Sequence, residues 1–335
     1  MTREIGSEFW GIPVRSTNNF LFPKEICWFL SGRSALLAII RDIKAQKEIH
    51  TVALPSWCCD SMIKPFVQED IQTEFYNSFC VDGATPGLEY TTDVILVMDY
   101  FGYSTDYDYS SFKGIVIRDL THGIFSGKHN DANYYYGSLR KWAGFCTGGY
   151  AWGFKNNVQY EGCNIKYIEL RKKAMMLKKQ YIETDIVSSN KKIFLDAFSE
   201  AEKLLEDIKI SEADDQDIES AKKIDVFGIK KQRRNNAQIL LKELGEYAIY
   251  KGLMEADCPL FVPIIVKNRN EIRRALIDNR VYCPIHWSST DLHSVKYINE
   301  VYYTNELSLV CDQRYTEGDM IRLLDVIEHV GVKGI

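Results

Sequence analysis

Four short stretches in the first half of the chain carry residue types that can do chemistry. In "SLRKWAGFCTGG" two cations, Arg140 and Lys141, stand between an aromatic segment and the Gly148-Gly149 pair. Buried charge is costly, so such a pair is ordinarily a solvated turn. A lysine beside a strand end has a second use, because an amine kept neutral by desolvation and nearby positive charge condenses with a carbonyl to a Schiff base. In "VIRDLTHG" Asp119 closes an apolar run and His122 follows three residues later. A carboxylate at the C-terminal end of a strand in an open α/β sheet stands where ligands bind. The competing reading is an N-cap aspartate and a surface histidine. In "SGRSAL" small residues precede a helix, whose free N–H groups and dipole suit a phosphate, although plain capping uses the same residues. In "LPSWCCDSM" the Trp57 indole follows a strand end, where it can cover a flat ring or fill the core.

The elements that must position these residues are legible as periodicity. After Ser31-Gly32 a helix is expected, with Leu36, Leu37, Ile39 and Ile40 on its buried face and the preceding residues read as a loop. Apolar runs at 51–55, 73–78, 93–99, 114–119, 133–138 and 149–154 read as strands, with a helix over 61–69 between two of them. That spacing predicts an α/β sheet, largely parallel and covered on both faces. From Tyr167 the pattern changes to charged amphipathic helices, and 210–223 reads as a loop or weak helix. A strong helix then precedes strand candidates "PLFVPIIV", "YCPIHW" and "LSLVCD", a helix "RNEIRRALIDN" and a closing helix. This predicts a smaller second domain over residues 226–335, after a larger one over 1–225.

A chain of 335 residues has room for a sizeable core and two domains. The hydrophobic fraction is 46%, the charged fraction 26% and the net charge −5, which leaves no basic footprint for nucleic acid. Nine cysteines without a repeated CxxC spacing suggest neither a disulfide framework nor a zinc site, so reduced thiols and no metal are expected. The start lacks an apolar signal region, and no run of 18 apolar residues occurs. The expectation is a cytoplasmic protein with no membrane partner.

Taken together and in order, these stretches resemble the DegT/DnrJ/EryC1/StrS family of sugar aminotransferase-like proteins, which have the type I fold of pyridoxal-phosphate enzymes. "SGRSALLAI" is similar to the family's phosphate loop, "VMDYFGYSTD" to its strand with an aromatic-x-Gly turn, "VIRDLTHG" to its acidic strand end, and "SLRKWAGFCTGG" to its Lys-to-Gly-Gly segment. The resemblance implies an α/β type I fold: a large domain with a mostly parallel central sheet and an N-terminal arm, and a smaller C-terminal α+β domain. It also implies pyridoxal 5′-phosphate as cofactor. Asp119 would pair with the pyridine nitrogen, Lys141 would hold the cofactor as a Schiff base and then move protons, and His122 would lie near the phenolic oxygen. Gly32, Arg33, Ser34 and Ser138 would bind the phosphate, and Trp57 would stack on the ring. Three positions depart from the family pattern: Tyr136 stands where its phosphate serine lies, Cys59 where its stacking aromatic lies, and Arg118 where it has an acid.

The activity implied is transfer of an amino group from an amino-acid donor to a keto acceptor such as a nucleotide sugar. A lyase or dehydratase on the same fold, and a non-catalytic binding or regulatory protein, are the alternatives. Lys141 argues against the dehydratases that carry histidine there. In the second half, "VYCPIHW" and "CDQRYT" gather His286, Trp287 and Arg314. An arginine fork matches a donor carboxylate, and an aromatic face suits a sugar ring. Arg314 has a competing use as a partner of Asp312 or Glu317. A homodimer is also implied, with Tyr103 and Trp152 as candidate surface aromatics.

Overall fold

The computed structural model describes residues 4–15, 22–77, 91–105, 107, 111–127, 129–184, 189–287, 292 and 300–334. In chain order the elements are β1 (Ile5–Gly6), β2 (Cys27–Phe29), α1 (Gly32–Lys44), β3 (Thr51–Pro55), α2 (Asp60–Gln68), β4 (Gln72–Tyr76), β5 (Val94–Met98) and β6 (Ile115–Asp119). They continue with β7 (Tyr134–Ser138), a 3-10 turn (Leu139–Lys141), β8 (Gly149–Trp152), α3 (Ile165–Thr184), α4 (Ser189–Lys203), α5 (Asp215–Ala221) and α6 (Val226–Leu244). The C-terminal part holds β9 (Phe261–Ile265), α7 (Arg269–Asp278), β10 (Val281–Tyr282), α8 (Glu300–Asn305), β11 (Glu306–Val310) and α9 (Glu317–Val330). The chain is α/β, with a mostly parallel central sheet.

By internal contacts the chain forms two compact units. The first takes Glu8–Ile49 and Asn133–Val226. Its strands run in the order β2-β8-β7, both pairs antiparallel, with Phe29 and Ser138 each opposite Gly149. Helix α1 packs on β7 and β8, burying Leu36, Leu37, Ile39 and Ile40 as its periodicity predicts, with Ile43 added one turn further on. Helices α3 and α4 pair, closing Ala174 against Phe194, Ala197 and Phe198.

The second unit takes Thr2–Ser7, His50–Ala132 and Phe227–Ile335. Its main strands run β6-β5-β3-β4, all parallel. The run Val94–Met98 is buried at every residue, the pattern of a parallel strand covered on both faces. Behind β5 the chain turns through Phe101 and Gly102, both at positive φ. A Cβ at Gly102 would lie 1.9 Å from the Cys258 carbonyl oxygen, so glycine is required there. The C-terminal residues have their own core around Leu240, Val262, Ile264, Leu307, Leu309 and Leu323, with β11 antiparallel to β9.

Several expectations shift. Residues 27–29, read as loop, form β2 because β8 offers them a partner edge. The weak helix at 210–223 settles into α5, capped by the Asp214 side chain. Of "YCPIHW" only Tyr282 is in a strand, in β10, which pairs with the unforeseen β1. Tyr103 and Trp152 are buried, not surface, residues: Tyr103 stacks on Tyr250 at 3.9 Å and Trp152 on Tyr135 at 4.9 Å. No disulfide joins the eight described cysteines, while Ser78 and Cys80 lie outside the described residues. Among the described residues no group of three or more His, Cys, Asp or Glu is placed to hold a metal, and no helix is long and apolar enough to cross a membrane.

Candidate active site

In the first unit the small-residue loop meets the end of β7. Ser31 is the N-cap of α1, its Oγ accepting from the Ser34 N–H at 3.2 Å. The loop lies so close to β8 that a Cβ on Gly149 would sit 2.2 Å from the Ser31 carbonyl oxygen. A Cβ on Gly32 would reach the Ser138 Cβ at 3.7 Å. Gly32 is thus brought beside Ser138 at the start of α1, followed by Arg33 and Ser34, where the N–H groups and dipole of a helix N-terminus suit an anion. A cavity of about 270 Å³ opens beside the loop, its lining including Ser31, Arg33, Ser34, Asn164, Lys209 and Ser211.

The adjacent cations separate in role. Lys141 is exposed at the end of the 3-10 turn, which is anchored by buried Leu139, whose N–H donates to the Gly148 carbonyl at 2.8 Å. Arg140 instead pairs with Glu202 of α4 and lies 5.8 Å over the Tyr167 ring. Glu202 also faces Arg171 at 3.6 Å and Arg33 at 3.9 Å, and Arg171 meets Glu8 at 3.3 Å. Burial pushes the Glu8 and Glu202 carboxyls up, but the surrounding cations outweigh it and hold both below the usual range. Arg140 therefore holds α4 to the lysine turn. The Arg33 guanidinium, expected on a phosphate, is shared with this network.

In the second unit the C-terminal ends of β3, β5 and β6 gather the other candidates. Asp119 ends β6, 4% exposed, and its Oδ1 accepts the Thr121 N–H at 2.7 Å, shaping the turn that carries His122. The His122 ring, 1% exposed, stacks on Trp287 at 5.7 Å with planes 19° apart, and the His286 ring stands edge-on to it at 5.6 Å. Sequence reasoning placed all four of these residues in the site, and the structure brings them into one unit.

Two expected residues are engaged otherwise. Trp57 is 1% exposed and stacked with Tyr100 at 5.5 Å and Tyr302 at 4.9 Å, so its ring is filled in by protein rings. The Arg314 fork is taken by Asp312, Nε to Oδ1 at 2.9 Å and Nη2 to Oδ2 at 2.8 Å, the competing use recognised in the sequence.

Other polar residues of the site were not foreseen. Arg118 is buried and binds Asp99, Nε to Oδ1 at 2.9 Å, as well as Asp131 and the Thr105 carbonyl. Burial pushes the Asp99 carboxyl up to about 7, against the pull of Arg118. The signal was a charged residue near the end of an apolar strand, where its burial needs a buried counter-charge. Glu306 and Ser308 of β11 are both 0% exposed and hydrogen-bond His286.

No family model and no curated protein matches the chain. The fold is that of pyridoxal-phosphate aminotransferases of the DegT/DnrJ/EryC1/StrS kind. A DegT DnrJ EryC1 StrS aminotransferase from Brucella abortus superposes with a TM-score of 0.61 at 13% identity, over 91% of this chain and 85% of that one. The putative sugar aminotransferase Spr1654 from Streptococcus pneumoniae, in its PMP form, gives 0.62 at 11% identity, over 97% and 98%. PseC of Helicobacter pylori, an aminotransferase involved in the biosynthesis of pseudoaminic acid, gives 0.61 at 13%, over 97% and 99%.

Proposed function

We propose that the chain is a pyridoxal-phosphate aminotransferase moving an amino group from an amino-acid donor to a keto acceptor, with a keto sugar as the acceptor class. The observation that carries this reading is the approach of Gly32, on which a Cβ would lie 3.7 Å from the Ser138 Cβ, to a residue three positions before exposed Lys141. A phosphate-suited helix N-terminus and a lysine amine then belong to one short stretch of structure. The residues present fit the cofactor. Gly149 has no side chain where one would push the Ser31 loop off β8, and ahead of the capped Ser34 N–H the Gly32 and Arg33 N–H groups stand at the start of α1 for a phosphate.

Bound, the cofactor supplies an electron sink for a carbanion at the donor Cα. Gly32 and Arg33 would bind its phosphate through main-chain N–H groups, and Ser34 and Ser138 through hydroxyls. The Asp119 carboxylate would hold a proton at the pyridine nitrogen, and His122 would orient the ring from beside it. Lys141 is the candidate covalent anchor, and its amine, once released, would carry the proton to and from the donor Cα. His286 and Trp287 would line the acceptor side. Arg314 would meet a donor carboxylate only by leaving Asp312. Residues 1–225 would form the cofactor part and 226–335 the smaller part. A homodimer is part of the same proposal.

The test is transfer of ¹⁵N from labelled glutamate and other amino acids to a panel of keto sugars and keto acids, read by mass spectrometry of the products. Label in an aminated product supports the reading. No label in any product, from protein loaded with cofactor, contradicts it.

A further inference from the structure

Strand β11 reads Glu306-Leu307-Ser308-Leu309-Val310, so Glu306 and Ser308 leave the strand on the same face. His286 closes a ring with them. Its backbone N–H donates to Glu306 Oε2 at 2.7 Å, its Nδ1 lies 2.8 Å from Ser308 Oγ, and Ser308 Oγ hydrogen-bonds Glu306 Oε1.

A serine hydroxyl has one proton to give, so the direction of this chain follows from Glu306. With Glu306 ionised, Ser308 donates to the carboxylate and accepts from Nδ1–H, and Nε2 of the neutral imidazole carries no proton. With Glu306 protonated, the carboxyl donates to Ser308, Ser308 donates to Nδ1, and the ring proton sits on Nε2. We propose that Glu306 is a positioning residue that acts through Ser308 to select the tautomer of His286, so that His286 offers an Nε2–H donor to the keto oxygen of the acceptor. The acceptor in this statement rests on the aminotransferase reading; the tautomer does not. A carbonyl oxygen only accepts, so the donor tautomer is the one suited to a keto substrate.

The interchange balances with one solvent proton. Going to the donor form, Nε2 gains that proton, the Nδ1 proton passes to Ser308, and the Ser308 proton passes to Glu306. Burial pushes the Glu306 carboxyl up to about 8, while Ser308, the His286 N–H and Arg269 of α7 pull it down. The other groups facing this cluster are Cys283, whose buried thiol is pushed up to about 12, Arg273 of α7, which donates to the Cys283 carbonyl at 3.4 Å, and His122 beside the His286 ring. The donor form is thus favoured below about pH 8 and is lost as the pH rises through that value.

The experiment uses the full chain labelled with ¹⁵N-histidine, with His286 assigned by loss of its signals in His286→Gln. Long-range ¹H–¹⁵N spectra then read its tautomer between pH 7 and 9.5. The expected result is Nε2–H at pH 7 with growing Nδ1–H toward pH 9.5. Glu306→Gln, whose amide donates to Ser308 as a protonated carboxyl does, should hold Nε2–H throughout. Ser308→Ala, a small change that keeps the strand, should uncouple the ring from pH. A wild-type tautomer unchanged over this range, or one titrating identically in Ser308→Ala, overturns the proposal. The readout needs neither substrate nor turnover, so absence of ¹⁵N transfer with an intact tautomer change would count against the aminotransferase reading alone.

Discussion

The rings of His122 and Trp287, 165 positions apart in the sequence, lie 5.7 Å apart with planes 19° from parallel. This stack joins the turn after β6 to the loop after β10, and it sets the Trp287 face against the turn after Asp119 that the sequence reading selected. Stacked aromatic pairs contribute about 0.5–1.5 kcal/mol beyond area burial. Trp287→Leu should therefore raise KM for the keto acceptor by about two- to tenfold while leaving bound cofactor unchanged. Steady-state kinetics with the acceptor varied checks this, and loss of cofactor instead would place Trp287 on the other side of the site.

Gly149 is required by the approach of the Ser31 carbonyl, where a Cβ would lie at 2.2 Å. Gly149→Ala must push the phosphate-suited loop away, at a cost of about 1–3 kcal/mol typical of overpacking. The expected outcome is a lower Tm together with weaker retention of pyridoxal phosphate on dialysis. A variant that retains cofactor like the wild type would show that the loop does not hold the phosphate.

Asp119→Asn keeps the shape of the β6 end and can still accept the Thr121 N–H, so the protein should fold. It removes one charged hydrogen bond to a pyridine nitrogen, about 1.5–3 kcal/mol, and kcat should fall about ten- to a hundredfold. Stopped-flow rates of the donor half-reaction measure this directly. Unchanged rates would take Asp119 out of the cofactor's reach.

The Arg118–Asp99 pair sets a pH dependence of stability. Asp99 in the folded chain has its carboxyl raised to about 7 from 3.8, with burial as the main cause. Between those values the unfolded chain ionises Asp99 while the folded chain keeps its proton, so this residue's contribution to stability falls as pH rises from about 4 to 7 and is level above. Asp99→Asn removes that slope. The difference in Tm between variant and wild type should grow in the variant's favour across that range, whatever its offset. Above about pH 7, where Asp99 is ionised, Arg118→Met leaves that buried carboxylate without its counter-charge and should cost about 3–5 kcal/mol.

Much of this was legible because it is periodic. The strands at 51–55, 94–98 and 115–119 and the buried face of α1 follow from apolar spacing alone. What escaped depends on partners far away in sequence. Cys27–Phe29 is too short to signal a strand without β8 beside it, and Ile5–Gly6 without β10. Arg140 and Lys141 look equivalent as letters, and only Glu202 on α4 separates a half-buried ion pair from an exposed amine. Glu306 and Ser308 alternate with leucines as in a half-exposed strand, yet both faces are buried, which is why their polar groups turn to His286.

The chemistry assigned to Lys141 is tested most directly by the visible spectrum of the chain reconstituted with pyridoxal phosphate. A yellow band is predicted that borohydride fixes onto the peptide containing Lys141, that an amino-acid donor such as glutamate bleaches, and that a keto acid restores. Lys141→Ala should bind the cofactor without the reducible adduct. A band that forms on another lysine, or one that no amino acid bleaches, would contradict the aminotransferase reading.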